Sequence, residues 1–269
     1  MSDGVEVAAP TTDTGLRWWR EVAYSLAFYL VYSFIRNRFG SAAVSPDTAK
    51  DNADHVIAVE RALGSYHEET IQRWFIANDL FIRFWNIFYG TAHFVVTAFA
   101  LVFLFRRFPQ DYRRWRNTLA FTTALALIGF SLFPLMPPRL LGDCGQYGAC
   151  IESGYVDTLA EIGGLWSFDS DAMESVSNQY AAMPSLHFAW SFWCFLVLYS
   201  RIRNRVGKVL IAIYPWATVF SIVVTANHFW IDALGGAVVL GVGYVLGAWL
   251  ADVTERRRAA RLAASGGVP

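Results

Sequence analysis

The stretch YAAMPSLHFAW, residues 180–190, guides our interpretation of the whole chain. It opens an apolar run that continues to about residue 199, which is typical of a helix entering a membrane. Pro184 suits the first helical position, so the pattern places Ser185 and His187 in the first turn. Free backbone N–H groups at a helix start favour an anion, and a hydroxyl beside an imidazole favours phosphate. The alternative is that Ser185 merely caps the helix and His187 is an ordinary interface histidine.

The composition is that of a polytopic membrane protein. Of the 269 residues, 55% are hydrophobic and 16% are charged, and the apolar residues are gathered into long runs. A soluble domain of this length rarely carries so little charge. The formal net charge is zero, which gives no support for a nucleic-acid partner. Residues 1–16 lack the layout of a cleaved signal and predict a disordered tail.

Hydropathy predicts an all-α fold, a bundle of six transmembrane helices in one domain at residues 17–252. A basic cytoplasmic tail is expected at residues 253–269. The predicted spans cover residues 18–35, 81–105, 119–135, 184–199, 209–225 and 228–250. Glycines in the last span, at positions 235, 236, 241, 243 and 247, are expected to permit close helix contacts.

Residues 47–78 separate the first two spans and are mostly polar. Apolar residues recur there at helical spacing, at Val56, Val59, Ala62 and Leu63. This pattern predicts one or two amphipathic helices that lie on the membrane surface or cap the fold. The region also contains side chains of types that bind metals, namely His55, His67, Glu60, Glu68 and Glu69. Their spacing matches no zinc or di-metal pattern, so we expect a solvated polar face and no metal.

The second predicted span carries three polar residues on one face, Asn86, Tyr89 and His93. Polar residues inside a span usually face the bundle interior or a cavity. These three are therefore candidates for a substrate pocket, and interhelical hydrogen bonding is the alternative role for His93.

The longest loop, residues 140–182, contains Cys144 and Cys150. Outside the cytoplasm such a pair predicts a small-loop disulfide, whereas inside it predicts two free thiols. The third cysteine, Cys194, falls within a span and is expected to fill buried volume.

The distribution of basic residues predicts the orientation. With six spans, one face holds the N-terminal tail and the loops at residues 106–116, 201–208 and 256–261. Counted with the flanking residues, as 1–21, 106–116, 201–208 and 252–261, this face carries 15 of the 22 Lys and Arg residues and 7 of the 22 Asp and Glu residues. The positive-inside rule assigns it to the cytoplasm, together with both termini. The motif at 180–190, the motif NHFWID at 227–232 and the cysteine loop are then extracytoplasmic, in the plasma membrane.

Four side-chain types at these span ends favour phosphoryl transfer without a metal. His228 and Asp232 are four residues apart, and a carboxylate beside an imidazole fixes its tautomer and stabilises its charged form. His187 supplies a second imidazole and Ser185 a hydroxyl. Arg139 supplies a permanent cation with forked donors that match phosphate oxygens. A purely structural His–Asp pair is the alternative.

These motifs resemble those of a known family. MPSLH and NHFWID are similar to the paired histidine motifs of the type 2 phosphatidic acid phosphatase superfamily, six-span enzymes that cleave lipid phosphates without a metal or cofactor. FYGTAH (88–93), FPLMPPRLL (133–141) and YAAMPSLH (180–187) resemble the branch that contains the inositol phosphorylceramide synthases.

The resemblance implies a role for each residue. His228 would take the phosphoryl group as a phosphohistidine, Asp232 would orient it, and His187 would protonate the leaving alkoxide. Ser185 and Arg139 would bind the phosphate. The substrate would be a lipid phosphate or phospholipid, and the acceptor would be water or an alcohol such as a polyol or lipid alcohol.

The chain departs from the superfamily pattern at one place. Where the superfamily has a Ser-Arg pair before the nucleophilic histidine, this chain has Ser221 and Ile222, and the lysine-containing first motif is absent. The synthase-like branch shares that loss, so more of the phosphate binding is expected from Arg139. Two alternatives are a non-catalytic six-span binding or transport protein and a family member that binds phospholipid without turning it over.

Overall fold

The computed structural model describes residues 16–39, 44–164 and 178–264. All but the last residue of the predicted disordered tail at residues 1–16 lie outside that part of the chain. Its α-helices are α1 (Trp18–Phe39), α2 (Pro46–Ala62), α3 (Glu68–Phe75), α4 (Asp79–Arg107), α5 (Pro109–Leu132), α6 (Thr158–Glu161), α7 (Leu186–Leu198), α8 (Arg205–Val224) and α9 (Trp230–Ala264). Within these described residues no strand forms, and the protein is all-α.

Three helices are long and apolar enough to cross a membrane, namely α4, α8 and α9. Helix α7 is apolar but has 13 residues, and α1 and α5 do not meet the same criteria among the residues described. In α5 the reason is visible in the sequence, since Arg113, Arg114 and Arg116 occupy its first turns. The helices therefore indicate a membrane protein, with three of the six predicted spans supported by length and composition.

Helix α2 divides the apolar residues of the predicted amphipathic pattern between a buried and an exposed face. The buried residues are Ala49, Ala53, Val56 and Glu60, which recur every three or four positions. Three apolar residues that share the helical spacing of Val56 are exposed instead: Val59, Ala62 and Leu63. The small alanines let α2 pack closely, and this packing carries Glu60 into the interior.

Helix α7 begins two residues later than predicted. Pro184 follows a cis peptide bond and lies outside the helix, which starts at Leu186. Ser185 is the N-cap, because its hydroxyl accepts a hydrogen bond from the Phe188 amide. His187 still falls in the first turn, as the sequence predicted.

Helix α9 begins at Trp230, just after His228, and continues to Ala264. The helix therefore runs through the boundary expected at residue 252. The segment after that position is rich in Arg and Ala, which are strong helix formers, and it contains no Gly or Pro before Ala264.

Glycines let α9 approach its neighbours closely. A Cβ on Gly236 would lie 2.4 Å from the Ser185 carbonyl oxygen, and one on Gly247 would lie 2.5 Å from the Thr118 amide nitrogen. Gly243 meets Thr122 in the same way, and Gly235 meets the Pro184 ring less tightly. Gly241 is the exception to the prediction, since nothing lies within 4 Å of its Cβ position.

Three non-helical segments, after α5, before α7 and before α9, meet at one end of the bundle and are joined by backbone hydrogen bonds. Ser185 donates to the carbonyl of Asp232 at 2.9 Å, and Arg139 donates to that of Ala226 at 2.9 Å. Leu135 donates to the Tyr180 carbonyl at 2.9 Å. An apolar cluster around these bonds includes Leu135, Met136, Tyr180 and Phe229. The starts of α7 and α9 and the MPPRLL segment are therefore fixed relative to one another.

Candidate active site

His228 and Asp232 form a buried pair at the start of α9. The Nδ1 atom of His228 lies 3.1 Å from Oδ2 of Asp232, which also accepts the Phe229 amide at 3.0 Å. The two residues are 2% and 0% exposed, respectively. A proton on Nδ1 satisfies this contact and leaves a lone pair on Nε2. The side chains of His228 and Asp232 are therefore neighbours, as predicted, although His228 precedes the helix instead of lying within it.

Ser185 faces the free nitrogen of this histidine. Its Oγ lies 3.5 Å from Nε2 of His228, at the limit of hydrogen bonding, and 3.4 Å from the Phe188 amide nitrogen. The hydroxyl therefore caps α7 and also borders the His228 ring. The two roles that the sequence left open for Ser185 are compatible in this geometry.

His187 lies on the other side of His228, with 5.5 Å between their ring centroids. It stacks on Tyr89 at 4.1 Å, and the His93 ring is 4.4 Å away. Nδ1 of His93 lies 3.0 Å from the Tyr89 carbonyl, which fixes the His93 ring within α4. Three histidines and one tyrosine thus form a continuous ring cluster.

A small, partly open pocket, with room for about one water molecule, adjoins His187 between α4, α7 and α8. Its lining residues are Phe88, Tyr89, Ala92, His93, His187, Tyr214, Thr218, Ser221 and Ile222. Two of the three predicted pocket residues, Tyr89 and His93, therefore line it.

Asn86, the third predicted pocket residue, is not part of that lining. It is 2% exposed, and its amide donates to the carbonyls of Thr158 and Gly163, both at 2.8 Å. Its carbonyl oxygen accepts from the Thr158 hydroxyl at 2.9 Å. Asn86 therefore anchors the loop around α6 to α4.

The side chain of Arg139 is held by Asp157 and Gln179. Its guanidinium forms an ion pair with Asp157 and also donates to Gln179, while Asp157 caps α6 through the amides of Leu159 and Ala160. The Nε donor of Arg139 is buried and has no hydrogen-bond partner among the residues described. A phosphate could use this cation if it displaced Asp157 or Gln179. Local sequence patterns do not indicate these two partners, because they lie 18 and 40 residues away from Arg139 in the chain.

Ile222, which departs from the superfamily pattern, and its neighbour Ser221 both have structural roles. Ile222 is 0% exposed and packs with Val219, Val223 and Ala233. The Ser221 hydroxyl donates to the Trp85 carbonyl at 3.2 Å. Position 222 therefore contributes apolar packing in this chain.

Glu60 and Glu68 lie against the start of α9, where sequence analysis expected a solvated polar face. Oε1 of Glu60 accepts the Ile231 amide at 2.9 Å, and Oε1 of Glu68 accepts the Trp230 amide at 3.1 Å. Both residues are at most 1% exposed, so the expectation is wrong for this pair. The helical spacing contains one signal for the burial of Glu60 that the sequence analysis missed. Glu60 follows Val56 by four positions, so the two residues share the buried face of α2.

The remaining three side chains of metal-binding type in this region are at or near the surface. His55 and His67 are exposed, and Glu69 pairs with Arg73 one turn later. Among the residues described, no group of three or more His, Cys, Asp and Glu side chains is arranged to hold a metal ion.

The cysteines occupy two environments. Cys144 and Cys150 are joined by a disulfide within the loop after the MPPRLL segment. Cys194 is a buried free thiol in α7 and lies 3.4 Å from the Thr97 hydroxyl.

Comparison with known proteins gives one match. No curated protein and no solved structure matches the chain. A family model described as the PAP2 superfamily matches residues 54–246, which is more than half of the chain and includes every site residue described above. The chain therefore belongs to the PAP2 superfamily, the type 2 phosphatidic acid phosphatase superfamily.

Proposed function

We propose that this protein catalyses metal-independent phosphoryl transfer on lipid phosphates through a phosphohistidine at His228. Membership of the PAP2 superfamily indicates phosphatase or phosphotransferase chemistry. One observation carries the assignment to particular residues. Nε2 of His228 is left free by the Nδ1 contact with Asp232, and it faces Ser185 with His187 close by.

The first half-reaction is an in-line displacement at phosphorus. Nε2 of His228 attacks, the N–P bond forms, and the P–O bond to the leaving alkoxide breaks while His187 donates its proton to that oxygen. The buried Asp232 carboxylate stabilises the positive charge that develops on the His228 ring. Ser185, the start of α7 and Arg139 bind the phosphoryl oxygens, and the negative charge of the bound phosphate favours the protonated form of His187.

The second half-reaction reverses these roles. His187 takes a proton from the acceptor hydroxyl, the acceptor oxygen attacks phosphorus, and the N–P bond breaks to regenerate neutral His228. With a lipid monophosphate as donor, water as acceptor releases phosphate, and a polyol or a lipid alcohol yields a new phosphomonoester. With a phospholipid diester as donor, the group on His228 keeps its headgroup, and an alcohol acceptor yields a new phosphodiester. The motif resemblance favours a headgroup transferase related to the inositol phosphorylceramide synthases.

We also propose that the chain spans the membrane six times, with its site outside the cytoplasm and both termini inside. The bias of basic residues supports this orientation, and so does the disulfide between Cys144 and Cys150. Helices α1 and α5 would then cross the membrane through packing against the more apolar helices.

The principal alternative is a non-catalytic six-span protein that binds or transports lipid. Purified protein in detergent should be incubated with a panel of lipid monophosphates and diphosphates, with and without inositol, and with EDTA in a parallel series. His228→Ala and His187→Ala are the test variants, because both side chains lie at helix starts and their loss should leave the folded protein intact.

The expected result is free phosphate, or an acceptor that has gained the phosphoryl group such as inositol phosphate, in a reaction that requires both histidines and survives EDTA. Turnover that persists in both variants would exclude the mechanism. Inhibition by EDTA that a divalent ion reverses would exclude its metal independence. Lipid binding without turnover that is equal in wild type and His228→Ala would favour the non-catalytic alternative.

A further inference from the structure

The carboxyl groups of Glu60 and Glu68 meet at the first turn of the helix that carries Asp232. They come from different helices, α2 and α3, and each directs one oxygen to a consecutive amide of α9, at Ile231 and Trp230. The outer oxygen of each, Oε2, is buried and has no hydrogen-bond partner among the residues described.

Two ionised carboxylates in such a place would repel each other, since no cation pairs with either one in the described part of the chain. A single proton shared by the two carboxyl groups removes this repulsion, because a protonated carboxyl can donate a hydrogen bond to the neighbouring carboxylate. Burial, together with the hydrogen bond to Glu68, raises the pKa of Glu60 to about 9. The other titratable or charged side chains around the pair are Asp232, His228, Tyr66, Tyr155, Glu69 and Arg61.

We propose that Glu60 and Glu68 act as a positioning pair, which shares one proton and fixes the first turn of α9 so that Asp232 holds the His228 ring. Only one residue step along α9 separates the amides that the pair binds from Asp232. The pair binds the amides of residues 230 and 231, and the next residue, Asp232, contacts both the His228 ring and the Phe229 amide. This inference rests on the proposed function for its kinetic consequences, but its structural part is independent of any substrate.

Substitution by glutamine distinguishes proton sharing from simple packing. In Glu60→Gln or Glu68→Gln, one amide accepts the α9 backbone N–H and donates permanently to the remaining carboxylate. In the double variant, two NH₂ groups face each other and neither finds an acceptor. We therefore expect each single variant to keep most of the activity that Glu60→Ala loses, and the double variant to lose at least about tenfold in kcat with KM little changed.

The pH dependence gives a second readout. Wild-type activity should fall as the pH approaches 9, because loss of the shared proton separates α2 and α3 from α9, and either single glutamine variant should shift that fall to higher pH. Glu69→Gln is the matched control, since Glu69 is adjacent in α3 and pairs with Arg73 near the surface. This control should keep the wild-type profile.

Thermal unfolding in detergent tests the pair without substrate. The folded chain keeps the Glu60 proton to about pH 9 and the unfolded chain releases it near pH 4.5. The stabilisation is therefore fully present below pH 4.5 and declines as the pH rises toward 9. The apparent unfolding temperature of wild type should fall over this range, and the slope should be smaller in Glu60→Gln.

The outcomes separate this inference from the proposed function. Equal slopes and equal pH profiles in wild type and both single variants would overturn proton sharing, as would additive effects in the double variant. Failure of both single variants to fold would also contradict it, since each mimics the protonated carboxyl. Turnover that does not depend on His228 would instead refute the proposed function, while the unfolding measurement would still decide the role of the pair.

Discussion

Gly236 tests how closely α9 must approach α7 for the site to form. A Cβ at this position would lie 2.4 Å from the Ser185 carbonyl oxygen and 3.4 Å from the Ala189 amide nitrogen. Cβ atoms essentially never come within 3.0 Å of such an atom, so Gly236→Ala requires a separation of at least about 0.6 Å. The obstacle is backbone and cannot rotate away as a side chain would.

That separation acts directly on the site. Ser185 is bonded through its amide to the Asp232 carbonyl at 2.9 Å, and its hydroxyl borders Nε2 of His228. A displacement approaching 1 Å at a reacting centre costs about 10²-fold in rate, so we expect kcat to fall by about 10- to 100-fold. Overpacking costs about 1–3 kcal/mol, and the higher helix propensity of Ala offsets up to about 1 kcal/mol of this. The expected net loss of stability is about 0–3 kcal/mol.

Gly241→Ala is the matched control in the same helix, because nothing lies within 4 Å of its Cβ position. It should leave the rate unchanged and raise stability by up to about 1 kcal/mol. The assay compares initial rates of His228-dependent turnover and thermal unfolding for both variants in the same detergent. A Gly236→Ala enzyme within twofold of wild type would refute the close-approach reasoning, as would an equal loss of rate in Gly241→Ala.

Three further predictions concern other parts of the site. Asp232→Asn should lower kcat by about 10²–10⁴-fold with the protein still folded, because an amide cannot stabilise the charged His228 ring; rates near wild type would contradict this role. Asn86→Ala should reduce stability by about 1–3 kcal/mol through the unpaired Thr158 and Gly163 groups, whereas a kcat loss larger than about tenfold without unfolding would instead make Asn86 a substrate residue. A membrane-impermeant maleimide applied to intact cells should label Cys144 and Cys150 after reduction and not before, and labelling without reductant would contradict a stable extracytoplasmic disulfide.

Sequence patterns predicted those parts of the site that depend on local spacing. The pairing of His228 with Asp232 and the place of His187 in the first turn of α7 both follow from residues within one turn of each other. Tyr89 and His93 were placed on one face of α4, and both line the pocket beside His187. In each case a single helix start or a single helix face fixes the geometry, so the spacing of the residues in the sequence is enough to predict it.

Such patterns do not predict contacts between segments that lie far apart in the chain. Asn86 shares a face with Tyr89, yet its partners lie more than 70 residues away, and periodicity does not show which end of a face meets a loop. Glu60 and Glu68 were expected in solvent because isolated acids in a polar region usually are. Their burial depends on two amides of α9, more than 160 residues away, which need acceptors at the start of that helix.

Position 222 supports the turn before His228 through its backbone. The carbonyl of Ile222 accepts the amides of Asn227 at 2.9 Å and His228 at 3.2 Å, so its backbone already holds the turn that presents the histidine. Its side chain is fully buried among apolar residues, a place where a guanidinium would lose its hydration without a partner. Arg139 approaches the same turn from the MPPRLL segment, where its amide bonds to Ala226 and its guanidinium pairs with Asp157. In the proposed mechanism, position 222 therefore supplies a backbone acceptor and packing, and position 139 supplies the cation that the superfamily pattern places at 222.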